Sequence, residues 1–107
     1  MELKQYSIVL VNLDPTVGSE IQKTRPCVVL SPPQMNAHLN TIIVAPMTTT
    51  KKAYPTRVPV KFQEKEGFIA LDQIRTIDKM RLVQVFPGLS PAKKKKVKSV
   101  LSEMLVE

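Results

Sequence analysis

Cysteine and histidine each occur once in this chain, as Cys27 and His38. A lone cysteine rules out an intrachain disulfide, and Cys27 lies inside the apolar run CVVL, where a buried, unreactive thiol is the expected state. No Cys/His or carboxylate cluster has metal-ligand spacing, so neither a zinc site nor any other metal or cofactor is expected. The phosphate-loop pattern GxxxxGK[ST], the dinucleotide pattern GxGxxG and the nucleophile-elbow pattern GxSxG are missing. A Ser-His-Asp triad would have to take His38 from a proline-flanked loop. Uninterrupted apolar runs stop at about four residues, far below the roughly 20 that a membrane-spanning helix needs. The opening MELKQY has no basic-then-apolar leader layout. A soluble, cytoplasmic protein without a membrane partner is expected.

What remains is compact and basic. The length of 107 residues suits one domain, residues 1–107, with 43% apolar residues. A chain of this size buries roughly two-thirds of its unfolded surface, enough for one core without staples. Net charge is +7. Residues 1–89 hold 11 Lys and Arg against 7 Asp and Glu, and residues 90–107 hold 5 against 2. The excess therefore spreads over the chain and suits a polyanionic partner.

Strand-like segments recur at 6–13, 27–31, 41–47, 56–62, 68–73 and 82–86, rich in Val, Ile, Leu and Phe and bounded by Pro, Gly, Asn or charge. Several are apolar at consecutive positions, which predicts strands covered on both faces. Pro59 predicts an edge strand, because it has no N–H for a ladder. QEKEG reads as a hairpin loop, and PPQMNAHLN as a loop or one helical turn. At the end, Ser90 is a natural N-cap and Pro91 a natural first helical residue. Val97, Val100, Leu101, Met104 and Leu105 then follow one helical face. The expectation is a mainly β fold with a C-terminal helix: a small, strongly curved, barrel-like antiparallel sheet.

Poverty in metal and nucleophile chemistry is compatible with a substrate that brings its own nucleophile. RNA does, in its 2′-OH. An enzyme then has to align hydroxyl, phosphorus and leaving oxygen, move protons, and stabilise charge on the phosphorane. Arginine suits the last task, since it stays cationic and forks onto phosphate oxygens. A hydroxyl residue beside it adds a hydrogen bond to the same phosphate.

DPTVGSEIQKTRPCVVLSP, TIIVAPMTT, YPTRVPV and LDQIRTIDKMRL resemble, in order and spacing, the MazF/PemK family of toxin endoribonucleases. The resemblance covers nearly the whole chain and implies an SH3-like, curved β-barrel core in a homodimer. It also implies sequence-specific, metal-independent cleavage of single-stranded RNA, mRNA included, leaving 2′,3′-cyclic phosphate and 5′-OH ends. A cognate antitoxin would neutralise the toxin through an extended acidic and apolar segment. Carried over by position, the Arg of TRP is Arg25 and the Thr after AP-x is Thr48, the two catalytic residues. Gly18, Ser19 and Glu20 fall on the loop lining the RNA groove, and Asp72 and Gln73 on a strand facing it. Some plasmid-borne members use an Arg two residues before the Asp of DQ and a His in the first loop. Here those positions are Ala70 and Ser19, which favours the Arg25 and Thr48 pairing.

Plainer roles stand beside these. Arg25 could make a surface salt bridge to Glu20 or Asp14, and Thr48, Thr49 and Thr50 could be a hydroxylated loop. Arg75 is expected to pair with Asp78 or Asp72. Tyr6 and Tyr54 are expected in the core or at a rim rather than stacked on bases, and YPTR is placed beside the RNA groove. Because arginine keeps its proton above pH ~12, Glu20 or Asp72 would have to help remove the 2′ proton. Lysines 93–96 suit a solvated helix face, yet cations in the first turns oppose the helix dipole by about 0.3–1 kcal/mol each. A gyrase-poisoning toxin of the same fold, or an RNA-binding module without catalysis, are the competing functions.

Overall fold

The computed structural model describes residues 3–50 and 54–106. Met1 and Glu2 of the opening stretch and Glu107 of the helical stretch lie outside them. In chain order come β1 (Ile8–Asn12), β2 (Thr24–Val29), α1 (Pro33–His38), β3 (Thr41–Thr48), β4 (Arg57–Phe62), β5 (Lys65–Ala70), β6 (Arg75–Asp78), β7 (Leu82–Phe86) and α2 (Pro91–Leu105). Among the described residues, the seven strands form one antiparallel sheet in the order β4-β5-β3-β2-β1-β7, with β6 beside β3. The long β3 forks: its first half, from Thr41 to Val44, pairs with β6. Its last residues, Met47 and Thr48, pair with β5.

Consecutive apolar positions in the central strands arise because both faces are covered. Ile8, Val28, Ala45 and Met47 pack with Val97 and Val100 of α2 on one face. Val9, Val11, Cys27, Val29 and Val44 pack with Leu13, Ile42 and Ile77 on the other. The curved sheet does not close into a hydrogen-bonded barrel. Its ends, β4 and β7, meet instead through Phe62 and Phe86, whose rings stand edge to face with centroids 5.0 Å apart.

Several local expectations hold and others shift. Pro59 lies in β4, at one end of the sheet, where a missing donor costs nothing. Ser90 caps α2, its hydroxyl accepting from Lys93 N at 3.3 Å, and Pro91 is the first helical residue. Leu105 departs from the buried stripe and is 68% exposed. It stands eight residues past Val97, roughly 80° further round the helix, at the rim of that stripe.

The QEKEG segment is mostly strand rather than loop. Gln63 and Glu64 both take positive φ, 50° and 67°, and form a two-residue turn. That geometry matches the twist of the flanking strands and pairs Phe62 with Lys65. Segment 68–73 splits: β5 ends at Ala70, and Leu71–Gln73 is a 3-10 turn. Asp72 and Gln73 are therefore on a turn, not on a strand. None of the described helices is long and apolar enough to cross a membrane.

Candidate functional site

Arg25 belongs to β2 itself, paired with Val11 of β1, rather than to the loop before it. In the β2–β3 ladder Cys27 pairs with Pro46, Val28 with Ala45 and Val29 with Val44. Continuing that register toward the strand ends sets Arg25 against Thr48. In antiparallel pairs, opposed residues project from the same face. Both residues border one hollow of about 410 Å³, together with Lys23, Thr49, Lys65 and Glu66.

Each of the two is held locally. Arg25 is half-buried, and its Nε donates to Gln22 O at 3.0 Å. That bond leaves the two terminal nitrogens and their four N–H groups outside it. Of the three consecutive threonines, Thr48 is buried, whereas Thr49 and Thr50 are exposed. Its Oγ1 accepts from Thr50 N at 3.2 Å, so its own hydroxyl hydrogen can donate elsewhere. Gly67 on β5 passes so close to β3 that a β-carbon there would collide with the Thr48 carbonyl oxygen. Only glycine permits that approach.

Ser19, Glu20, Asp72 and Gln73 do not join this hollow. They border another of about 460 Å³, with Pro46 and Arg75. Gly18 takes φ 58° in the adjoining turn and borders neither. Gln73 fastens the loop from across the chain: its Oε1 accepts from Ile21 N at 2.7 Å and its Nε2 donates to Ser19 O at 3.5 Å. Glu20 Oε1 accepts from Val17 N at 2.6 Å. Asp14 Oδ1 accepts from Lys23 N at 3.2 Å, and Leu13 N donates to Lys23 O at 3.0 Å. Most of the polar groups in this loop thus serve its own shape.

Asp72 accepts two bonds from Arg57, Nε and Nη2 each at 3.1 Å, and one from Thr56 Oγ1 at 3.3 Å. Burial pushes its carboxyl up, but the Arg57 hydrogen bonds and charge, a backbone bond and Thr56 outweigh burial and hold it below the usual range. Arg57 also lies over the Tyr54 ring, 4.9 Å from the centroid. Part of YPTR thus backs Asp72 rather than bordering either hollow.

Other expectations change. Arg75 donates to the Leu13 carbonyl at 3.1 Å, and Asp72 is taken by Arg57. The ion pairs among the described residues are Arg57–Asp72 and Lys61–Glu64, so Arg25 bridges neither Glu20 nor Asp14. Neither carboxylate considered as a helper base, Glu20 or Asp72, borders the Arg25 and Thr48 hollow; Glu66 does. Lys23, Lys65, Glu66 and Gly67 went unnoticed in the sequence. The signal available was the Gln63–Glu64 turn, which would have put 65–67 on a strand beside β3. Cys27 is fully buried, and burial pushes its thiol up to about 12, only partly offset by the Arg75 charge. Tyr6 is a core residue, and His38 ends α1 away from both hollows. Among the described residues, no group of three or more His, Cys, Asp or Glu could hold a metal ion.

Residues 4–105 match the family described as "PemK-like, MazF-like toxin of type II toxin-antitoxin system". The chain is 40% identical over 70 residues to the endoribonuclease toxin MazF of Escherichia coli strain K12. That match covers 65% of this chain and 63% of the relative, so it spans less than two thirds of the relative's length. MazF of Deinococcus radiodurans has the same fold, with a TM-score of 0.87 at 24% identity over 100% of this chain and 99% of that one. An endoribonuclease solved with its cognate antitoxin from a mycobacterial species superposes with a TM-score of 0.80 at 21% identity, covering 97% and 95%. With the family match running almost end to end, the chain belongs to the PemK-like, MazF-like toxins of type II toxin–antitoxin systems.

Proposed function

We propose that this protein is a sequence-specific, metal-independent endoribonuclease that cuts single-stranded RNA by attack of the 2′-OH. The observation that supports it most directly is the presence of Arg25 and Thr48 on one hollow bordered also by Lys23 and Lys65. The terminal nitrogens of Arg25 fork onto the non-bridging oxygens of the scissile phosphate. The Thr48 hydroxyl donates to the same phosphate as charge builds on the phosphorane.

Proton flow follows from the groups on the hollow. Glu66, the carboxylate bordering it, accepts the 2′ proton as the O2′–P bond forms. The P–O5′ bond breaks, and the departing oxygen takes a proton from the Arg25 guanidinium. An alkoxide is basic enough to do so even from a group that holds its proton above pH ~12. The products are a 2′,3′-cyclic phosphate and a 5′-OH. Ser19, Glu20, Asp72 and Gln73, with Gly18 in the adjoining turn, form the base-reading side. Their hollow offers carboxylate, amide and hydroxyl groups of the kind that read unpaired base edges.

The same reading makes residues 1–107 one cytoplasmic toxin domain that works as a homodimer. A cognate antitoxin with an acidic, apolar segment blocks it, as the net charge of +7 favours. The relative solved with its cognate antitoxin supports such a partner. To test the reaction, the purified protein is incubated with mixed RNA in EDTA and the new ends are sequenced. Cuts at one short motif, with 2′,3′-cyclic termini and lost when the 2′ position at the cut is deoxy, are expected. Intact RNA would overturn the reading and favour a toxin that acts by binding protein.

A further inference from the structure

We infer that RNA leaves the Arg25 and Thr48 hollow over Gly67 and lays two flanking phosphates on Lys61 and Lys93. The inference rests on the cleavage reading above and extends its substrate path. A hollow of about 530 Å³ is bordered by Val60, Lys61, Glu66, Gly67 and Phe68 and by Lys93. Val60, Glu66 and Gly67 border the Arg25 and Thr48 hollow as well, so the two hollows adjoin at these residues.

The cations at the far end are placed, not scattered. Lys93 lies in the first turn of α2, its N–H held by the Ser90 hydroxyl. Lys93 and Lys94 are half-buried and Lys95 and Lys96 exposed, but of the four Lys93 alone borders one of the three hollows. One lysine of the four-residue run is therefore turned to use on the groove. Lys61 reaches the same groove from the edge strand β4. Its contact with Glu64 is 3.8 Å long and solvent-exposed on both sides, too weak to withhold the amine from a phosphate. Glu66 interrupts the basic track at the junction, where it serves the 2′ proton rather than a phosphate. A lysine opposed to the helix dipole in this place becomes intelligible once an anion passes it. Sequence-independent phosphate contacts of this kind set affinity and salt dependence rather than the cut motif.

The test uses a 20-nucleotide RNA carrying the motif that end sequencing identifies, 2′-deoxy at the cut, with affinity measured against salt concentration. Lys61→Gln with Lys93→Gln should lower the slope of log affinity against log salt by about 1.4, from two single-strand contacts at about 0.7 each. Affinity at low salt should fall on the order of tenfold. Lys95→Gln with Lys96→Gln removes the same charge from the same helix and should change the slope far less. Equal slopes in the two double variants, or no change in either, overturn the inference, whether or not an acidic peptide partner is weakened. An uncut all-ribose substrate with the wild-type protein strikes the cleavage reading instead. Cutting by the wild type with an unmoved slope in the Lys61/Lys93 variant strikes the groove alone.

Discussion

The two hollows at the end of β3 are alike in size and unlike in charge. One, about 410 Å³, carries Lys23, Arg25 and Lys65 against a single carboxylate, Glu66. The other, about 460 Å³, carries Glu20 and Asp72 against Arg75, which is itself tied to a backbone carbonyl. On the proposed reading a phosphodiester takes the first, where cations are in excess, and uncharged base edges take the second, where Asp72 is already paired with Arg57. A loop that looks like one functional unit in the sequence therefore borders both hollows. In the proposed function its end, Lys23 to Arg25, handles phosphate, and its middle, Ser19 and Glu20, reads bases.

The largest effect should come from removing the cation of the first hollow. Arg25→Ala should lower single-turnover cleavage by about 10³-fold at every motif alike. Arg25→Lys should recover little of it, because an ammonium cannot fork. Rapid-quench measurements on two RNAs of different flanking sequence would show whether the loss is uniform.

The carboxylates offer the next contrast. Glu66→Gln should cost about 10²-fold in single-turnover cleavage. Asp72→Asn should slow that step far less, since its carboxylate lies in the other hollow and is engaged by Arg57. A smaller effect, on the order of tenfold, is expected for Thr48→Ala and for Gly67→Ala. The methyl of Gly67→Ala has to push the Thr48 carbonyl away, so the double variant should lose little more than either single one. Additive losses would mean that Gly67 does not act through Thr48.

The smallest effect is on stability. The Asp72 carboxyl sits below its ordinary value of 3.8, so its stabilising contribution is fully present above that pH. It is lost as pH falls through the lowered folded value. Asp72→Asn should thus cost roughly 0.5–1 kcal/mol at neutral pH, an amount suited to a partly exposed pair. The difference should vanish in acid, and urea melts at pH 7 and well below pH 3.8 would reveal it.

Much of the sheet was legible because strands covered on both faces read as unbroken apolar runs. Helix α2 was legible from Ser90, Pro91 and the Val97 to Met104 stripe. The turn Leu71–Gln73 was not, since LDQ continues the apolar text of FIA and Leu71 stays buried after the strand ends. The short β6, RTID, lacks an apolar run of its own and is defined by pairing with β3. Arg75 misled because its partner is a backbone carbonyl, which no side-chain pattern announces. Arg25 and Thr48 could be named from the resemblance. Their shared face depends on the β2–β3 register, and the split between two hollows on where β5 crosses β3. Gly67 shows the limit: in sequence it closes a polar loop, and in the fold it sets the distance of a strand from Thr48.

The division of labour between the hollows is tested most directly by sequencing the cut ends made by Arg25→Ala and Gln73→Ala in one RNA pool under single-turnover conditions. Gln73 braces the loop at Ile21 and Ser19 and borders only the acidic hollow. The account predicts that Arg25→Ala cuts the wild-type motif about 10³-fold more slowly. It predicts that Gln73→Ala keeps its rate at the best site within about tenfold while cutting a broader set of motifs. A changed motif in Arg25→Ala, or an unchanged motif with abolished cutting in Gln73→Ala, would contradict it.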